Sequence, residues 1–288
     1  MKILVIGGTG TVGSHVVSHL LADGHQVRVL TTSTEKAGNL PAGVEGVIGS
    51  LEYDYTLPNA FENIEGVYML NAHTRNEIFQ GLNAIAAALR AGVSKFVYQS
   101  IHQVRGKGSH IDHFRSKIMI EDALTKSGLN YVMISPNNFY QNDLWFTQAI
   151  TQWKSYPQPI GPLGLSRVDV RDIAEVVSKV MVTDRYDGQT IALAGPEILT
   201  GERTAELLTE SLGYDVNYAG DDLDQFRASF SPFIPGWMLE DWAEMYDFFQ
   251  KEGLAASGAE LNQLTAILGR PPRTYQEFLN DHLNLFAA

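Results

Sequence analysis

The chain of 288 residues is 44% hydrophobic and 19% charged, ample for one large core or for a core with a smaller subdomain. Its net charge of -12, with no long run of Lys or Arg, excludes a surface that tracks a nucleic-acid backbone, and the absence of cysteine excludes disulfides, thiolate metal sites and cysteine nucleophiles. No stretch reaches the roughly 18 apolar residues of a membrane span, and the apolar start is too short for a signal peptide, so a cytoplasmic protein without membrane or nucleic-acid partners is expected.

The short apolar run Lys2–Ile6 reads as a strand buried on both faces. Behind the glycines of residues 7–13, Val12, Val16, Val17, Leu20 and Leu21 recur at helical spacing up to Asp23-Gly24. Strands follow at 27–30, 46–48 and 66–70, then a long helix with Ile78, Leu82, Ile85 and Leu89 on one face, ending at Ala91-Gly92. A fifth strand (95–98), a helix over 113–126 and a sixth strand (130–134) complete an alternation that predicts a doubly wound parallel α/β sheet of Rossmann type with right-handed crossovers. Beyond Pro136 the pattern loosens: a Pro/Gly-rich loop or small hairpin (156–164), a helix over 168–177, a late strand (189–193), and a helix over 200–212 capped by Thr200. The remainder is helical and rich in aromatics. The economical division is a nucleotide domain of residues 1–154 with a return segment near 166–195. Residues 196–288 then form a smaller, mostly helical lobe, together with the loop 155–165.

GGTGTVG, residues 7–13, follows a strand and opens a helix, the context that gives Gly-x-Gly-x-x-Gly its meaning. Absent β-carbons let a pyrophosphate approach backbone N–H groups at a positively polarised helix start, so Gly7, Gly8, Thr9, Gly10, Thr11, Val12 and Gly13 are the expected dinucleotide seat. The second strand ends in hydroxyls, Leu30-Thr-Thr-Ser-Thr34, where a carboxylate would hold the ribose of NAD. Thr32 and Lys36 accordingly lean the reading towards NADPH, with NADH left open by the missing arginine and by Glu35. Asn71 and Ala72, after the fourth strand, are expected to meet the cofactor through backbone groups. His73 has no second ligand at metal spacing, and no metal site is expected.

The glycine cluster, the strand Phe-Val-Tyr-Gln-Ser100, the segment His113-Phe-Arg-Ser-Lys117, Ser135-Pro-Asn-Asn-Phe-Tyr140 and Leu268-Gly-Arg-Pro-Pro-Arg-Thr-Tyr-Gln-Glu-Phe278 together resemble the atypical short-chain dehydrogenases of the NmrA-like group. The resemblance spans nearly the whole chain. That group includes NADPH-dependent quinone and triphenylmethane-dye reductases, and also non-catalytic redox sensors that act on transcription factors. Ordinary short-chain dehydrogenases carry Tyr-x-x-x-Lys on this helix; here the matching positions are His113 and Lys117, so the lysine role is kept and the tyrosine role is not. Spaced four apart, the two share one helix face.

The resemblance implies that Lys117 holds the nicotinamide ribose or relays a proton; a solvated helix lysine is the other reading. His113 either donates a proton or merely lines the cleft. Ser100, at the end of the fifth strand, orients a substrate carbonyl or finishes a turn. Asn137, Asn138, Phe139 and Tyr140 line the nicotinamide end, and Tyr140 is a candidate replacement for the absent phenol. Met238, Trp242, Met245, Tyr246 and Phe249 form an aromatic stripe that serves as a pocket wall for a flat substrate or as ordinary core. The expected function is hydride transfer from NADPH to an apolar aromatic or quinone-like small molecule in an inter-lobe cleft. The alternative is a nucleotide sensor that docks a partner protein, and homodimer formation is left open.

Overall fold

The computed structural model describes residues 1–286. In chain order it runs β1 (Lys2–Ile6), α1 (Thr11–Ala22), β2 (Gln26–Thr31), α2 (Thr34–Gly38), β3 (Val44–Ile48), α3 (Pro58–Phe61), β4 (Gly66–Met69), α4 (Glu77–Ala91), β5 (Lys95–Gln99), α5 (Asp112–Lys126) and β6 (Tyr131–Pro136). It continues through α6 (Thr147–Gln152), β7 (Ser155–Tyr156), α7 (Val170–Met181), β8 (Thr190–Leu193), α8 (Gly201–Leu212), β9 (Asn217–Tyr218), α9 (Leu223–Phe230), α10 (Gly236–Glu252), α11 (Gly258–Leu268) and α12 (Tyr275–His282).

Seven strands form one sheet in the order β3-β2-β1-β4-β5-β6-β8, and β1 to β6 pair in parallel. The strands are apolar on both faces because helices cover both: Ile3, Leu4 and Val5 are wholly buried, as are Val67, Tyr68, Phe96 and Val97. One core cluster joins Phe96, Tyr98, Ala84, Ala88, Ile120 and Leu124, where α4 and α5 lie against the sheet. Small residues permit that close packing. A β-carbon on Gly81 would stand 2.6 Å from the Ile120 side chain.

The chain lays β2 and β3 to one side of β1, then returns to place β4 on the other. This reversal is a topological switch point, where open α/β sheets leave a crevice at the carboxyl ends of their strands. Ile6 pairs with Met69 there, so the loops beginning at Gly7 and Leu70 leave the sheet side by side.

The chain divides into two compact units. The first comprises Met1–Val104, Arg115–Pro136 and Val170–Ile191; the second comprises Arg105–Phe114, Asn137–Asp169 and Ala192–Ala288. The boundary after β6 therefore falls at residue 137, earlier than the 154 expected, and the second unit approaches the first in size. In it, residues 157–164 form a loop, one of the two readings expected of that Pro/Gly-rich stretch, and Ser155–Tyr156 just before it pairs in parallel with Asn217–Tyr218. Thr200 caps α8 as anticipated, accepting the Arg203 N–H at 3.0 Å. Full capping boxes open α11 (Ser257, Glu260) and α12 (Thr274, Glu277). Among the described residues no helix is long and apolar enough to cross a membrane.

Candidate functional site

The four glycines of residues 7–13 are glycines for different reasons. Gly7 has a φ of 83°, and a β-carbon there would stand 2.6 Å from the Leu70 carbonyl oxygen. On Gly8 it would meet Val29 at 2.8 Å, and on Gly13 the Gly7 carbonyl oxygen at 2.1 Å. Those three are required by the turn and by the packing of α1 on the loop. Gly10 is not: its nearest neighbour would be the Gly7 oxygen at 3.4 Å, an ordinary contact, and the residue is exposed. It stands at the N-cap of α1 with no side chain capping the helix and its own N–H donating to the Gly7 carbonyl at 3.0 Å; Thr9 and Thr11 on either side are exposed, while Val12 turns into the core.

Beside this loop, Asn71 is only 6% exposed, and neither its side-chain nitrogen nor its oxygen has a hydrogen-bond partner. A buried amide left open on both atoms is costly unless something else satisfies it. Asn71 was expected to act through its backbone; the structure offers its side chain. Ala72 is exposed next to it. At the tip of β2, Thr32 and Lys36 are exposed, and Ser33 caps α2 by accepting the Lys36 N–H at 3.2 Å.

Lys117, on α5, is buried at 3% exposure and forms an ion pair with Glu77 at 2.6 Å. Glu77, at 1% exposure, also accepts the Ser116 hydroxyl at 2.7 Å. The solvated reading of Lys117 is thereby excluded. The Tyr98 ring lies 5.6 Å from its ammonium nitrogen. Burial, and then the charges of Glu77 and Glu121, push the Tyr98 phenol well above its ordinary value, so it stays neutral. Ser100 is buried and donates its hydroxyl to Glu121, which places it in a polar cluster of the first unit. His113 is half-buried, and its backbone N–H donates to Asp241 at 3.1 Å.

In the second unit, the segment 137–140 is pinned by its neighbours. Asn137 donates its side-chain amide to the Leu254 carbonyl at 2.7 Å, and Asn138 and Phe139 are half-buried. Arg167, fully buried, donates Nε to Asn138 Oδ1 (3.0 Å) and Nη2 to the Phe139 carbonyl (2.8 Å). Its remaining hydrogens go to Asp143 and to the Tyr156 hydroxyl. Tyr140 corrects an expectation. Its ring is wholly buried against Tyr275 and Phe278, and its hydroxyl donates to the Arg273 carbonyl at 3.2 Å, so it packs the second unit and is no stand-in for the missing catalytic phenol.

The same unit contains a cavity of about 610 Å³ walled by Trp145, Phe146, Trp153, Phe226, Phe230 and Trp242, with Gln148, Ser155 and Ser229 among its few polar groups. Trp145 and Trp242 stack, their ring centroids 6.0 Å apart. Of the aromatic stripe of α10, Trp242 lines this cavity, while Tyr246 and Phe249 are core.

Residues 1–279 match the model of the NmrA-like family. The chain belongs to this family. An NAD(P)H azoreductase from Xenophilus azovorans is 30% identical over 99% of both chains. The crystal structure of the NADPH-dependent quinone oxidoreductase QOR2 of Escherichia coli, complexed with NADPH, superposes with a TM-score of 0.87 at 22% identity, covering 98% of this chain and 100% of that one. NmrA itself, a negative transcriptional regulator solved with NADP, gives a TM-score of 0.78 at 18% identity over 96% of this chain and 93% of its own. At those identities the two structures establish a shared fold.

Within this NmrA-like chain, sequence reasoning missed Glu77, Glu121, Asp143 and Arg167. Glu77 carried one legible signal, an acidic residue in the first turn of a helix. Nothing local to it announces a lysine forty positions away.

Proposed function

We propose that this protein is a cytoplasmic NADPH-dependent oxidoreductase that reduces an apolar aromatic or quinone-like acceptor. The observation that carries the reading is Gly10, the one glycine of the loop that the fold itself does not require, beside an Asn71 amide with no internal partner. Both lie at the switch point of the sheet, and both suit a ligand that brings its own hydrogen-bonding groups against bare backbone. The N–H groups at the N-terminus of α1 would hold the pyrophosphate, Thr32 and Lys36 the ribose phosphate, and Asn71 and Lys117 the nicotinamide half. Bound in this way, NADPH supplies the hydride. The acceptor would occupy the aromatic cavity of the second unit, whose volume and largely apolar wall suit a flat molecule. With Ser100 and Tyr140 engaged inside the protein, an acceptor that needs no closely timed proton fits better than a simple ketone.

Steady-state NADPH oxidation against a panel of naphthoquinones and azo dyes tests the reading. Turnover is expected, and Trp242→Ala is expected to raise KM for the acceptor with little change in NADPH affinity. The same two engaged hydroxyls favour a second reading, a nucleotide-sensing regulator, whose signature is tight NADPH binding with no turnover on any acceptor.

A further inference from the structure

Glu77 is the first residue of α4, where the positive end of the helix dipole favours a carboxylate. One turn on, Gly81 lets α4 approach α5 so closely that a β-carbon would stand 2.6 Å from Ile120. That approach brings the carboxylate against two consecutive residues of α5. One oxygen takes the Lys117 ammonium at 2.6 Å, the other the Ser116 hydroxyl at 2.7 Å. The Tyr98 ring sits 5.6 Å from the same ammonium, close enough for a cation–π contact. Glu121, one turn along α5 from Lys117, is the other carboxylate acting on the Tyr98 phenol, and it is bonded to Ser100.

We propose that Glu77 is the positioning residue for Lys117, fixing the direction of its ammonium group before the cofactor arrives. The role presupposes that Lys117 touches NADPH, as proposed above. A long lysine side chain has much rotamer freedom to lose, and a group already immobilised loses less on binding its ligand. A packing role explains the pair poorly, because a buried ion pair is commonly no more stabilising than an apolar pair of the same volume. Fixing a charged lysine in place is what the carboxylate adds.

The test uses the full chain as wild type, Glu77→Gln, Lys117→Met and the double variant. NADPH affinity is read by fluorescence titration without any acceptor, and KM and kcat with 2-methyl-1,4-naphthoquinone. Lys117→Met and Glu77→Gln are each expected to weaken NADPH binding by about tenfold, roughly 1.4 kcal/mol. KM for NADPH should rise with Kd while kcat falls less, whereas a merely structural loss lowers the active fraction and leaves KM alone. The double variant should bind no more weakly than Lys117→Met, because the two residues act as one. If Glu77→Gln fails to fold, the double variant, which has no lone buried charge, decides: affinity equal to that of Lys117→Met supports the proposal, and a further drop of about tenfold overturns it. Glu77→Gln binding like wild type while Lys117→Met is impaired overturns the role of Glu77 alone. Lys117→Met binding like wild type overturns the cofactor role of the lysine, and this proposal with it.

Discussion

At Gly10 the space around the backbone is open, and at Gly13 it is filled by the chain itself. A β-carbon at position 10 has one ordinary contact, whereas at position 13 it would collide with the Gly7 carbonyl at 2.1 Å. Substitution therefore separates binding from folding. Gly10→Val is expected to keep the wild-type unfolding midpoint and lose NADPH affinity, since its side chain would stand where the pyrophosphate approaches. Gly13→Ala is expected to lower the unfolding midpoint, because α1 must shift off the loop. Calorimetry and NADPH titration on both variants check the pair, and unchanged affinity in Gly10→Val would refute the assignment of the loop. The tip of β2 offers a second test. Thr32 is exposed, so Thr32→Asp adds a charge without disturbing packing, and repulsion of a 2′-phosphate should shift the ratio of kcat/KM values towards NADH.

Elements of the first unit were largely legible because the signals that build them are local. An apolar run, a glycine cluster and a helical stripe each declare themselves within about a dozen residues, and β1, α1 and their loop followed directly. What bonds across distance was not legible. Glu77 finds Lys117, and Ser155–Tyr156 finds Asn217–Tyr218, through contacts that no local spacing marks. The helix expected over 168–177 begins at Val170 because Val168 instead bridges to Phe139. Asp143 is the extreme case: Arg167, Tyr156, Gln158 and Tyr275 all donate to it inside the second unit. Asp143→Ala would strand a buried guanidinium, and about 3–5 kcal/mol of stability should be lost in urea unfolding. The exposed pair Lys251–Asp247, one turn apart on α10, is the control: Asp247→Ala should change stability by no more than about 0.5 kcal/mol.

For the molecule as a whole, the buried tyrosines set an alkaline limit. Burial raises the phenols of Tyr68 and Tyr98 in the first unit, and of Tyr156, Tyr246 and Tyr275 in the second, well above their ordinary value near 10. In the unfolded chain the same phenols release their protons near pH 10, so above that pH the folded state binds more protons than the unfolded one. Stability is then fully present below about pH 9 and falls by about 1.4 kcal/mol per pH unit for each tyrosine, or roughly 7 kcal/mol per unit for five. Against a typical total of about 5–15 kcal/mol, unfolding is expected within one or two units above pH 10. Tyrosinate absorbance and far-UV circular dichroism, followed together through an alkaline titration, test this limit. The expected record for the buried phenols is a rise in absorbance that coincides with loss of helix. If every tyrosine ionised in one step near pH 10 while the helices persisted, the phenols would have to be open to water, and the packing of both units around them would be mistaken.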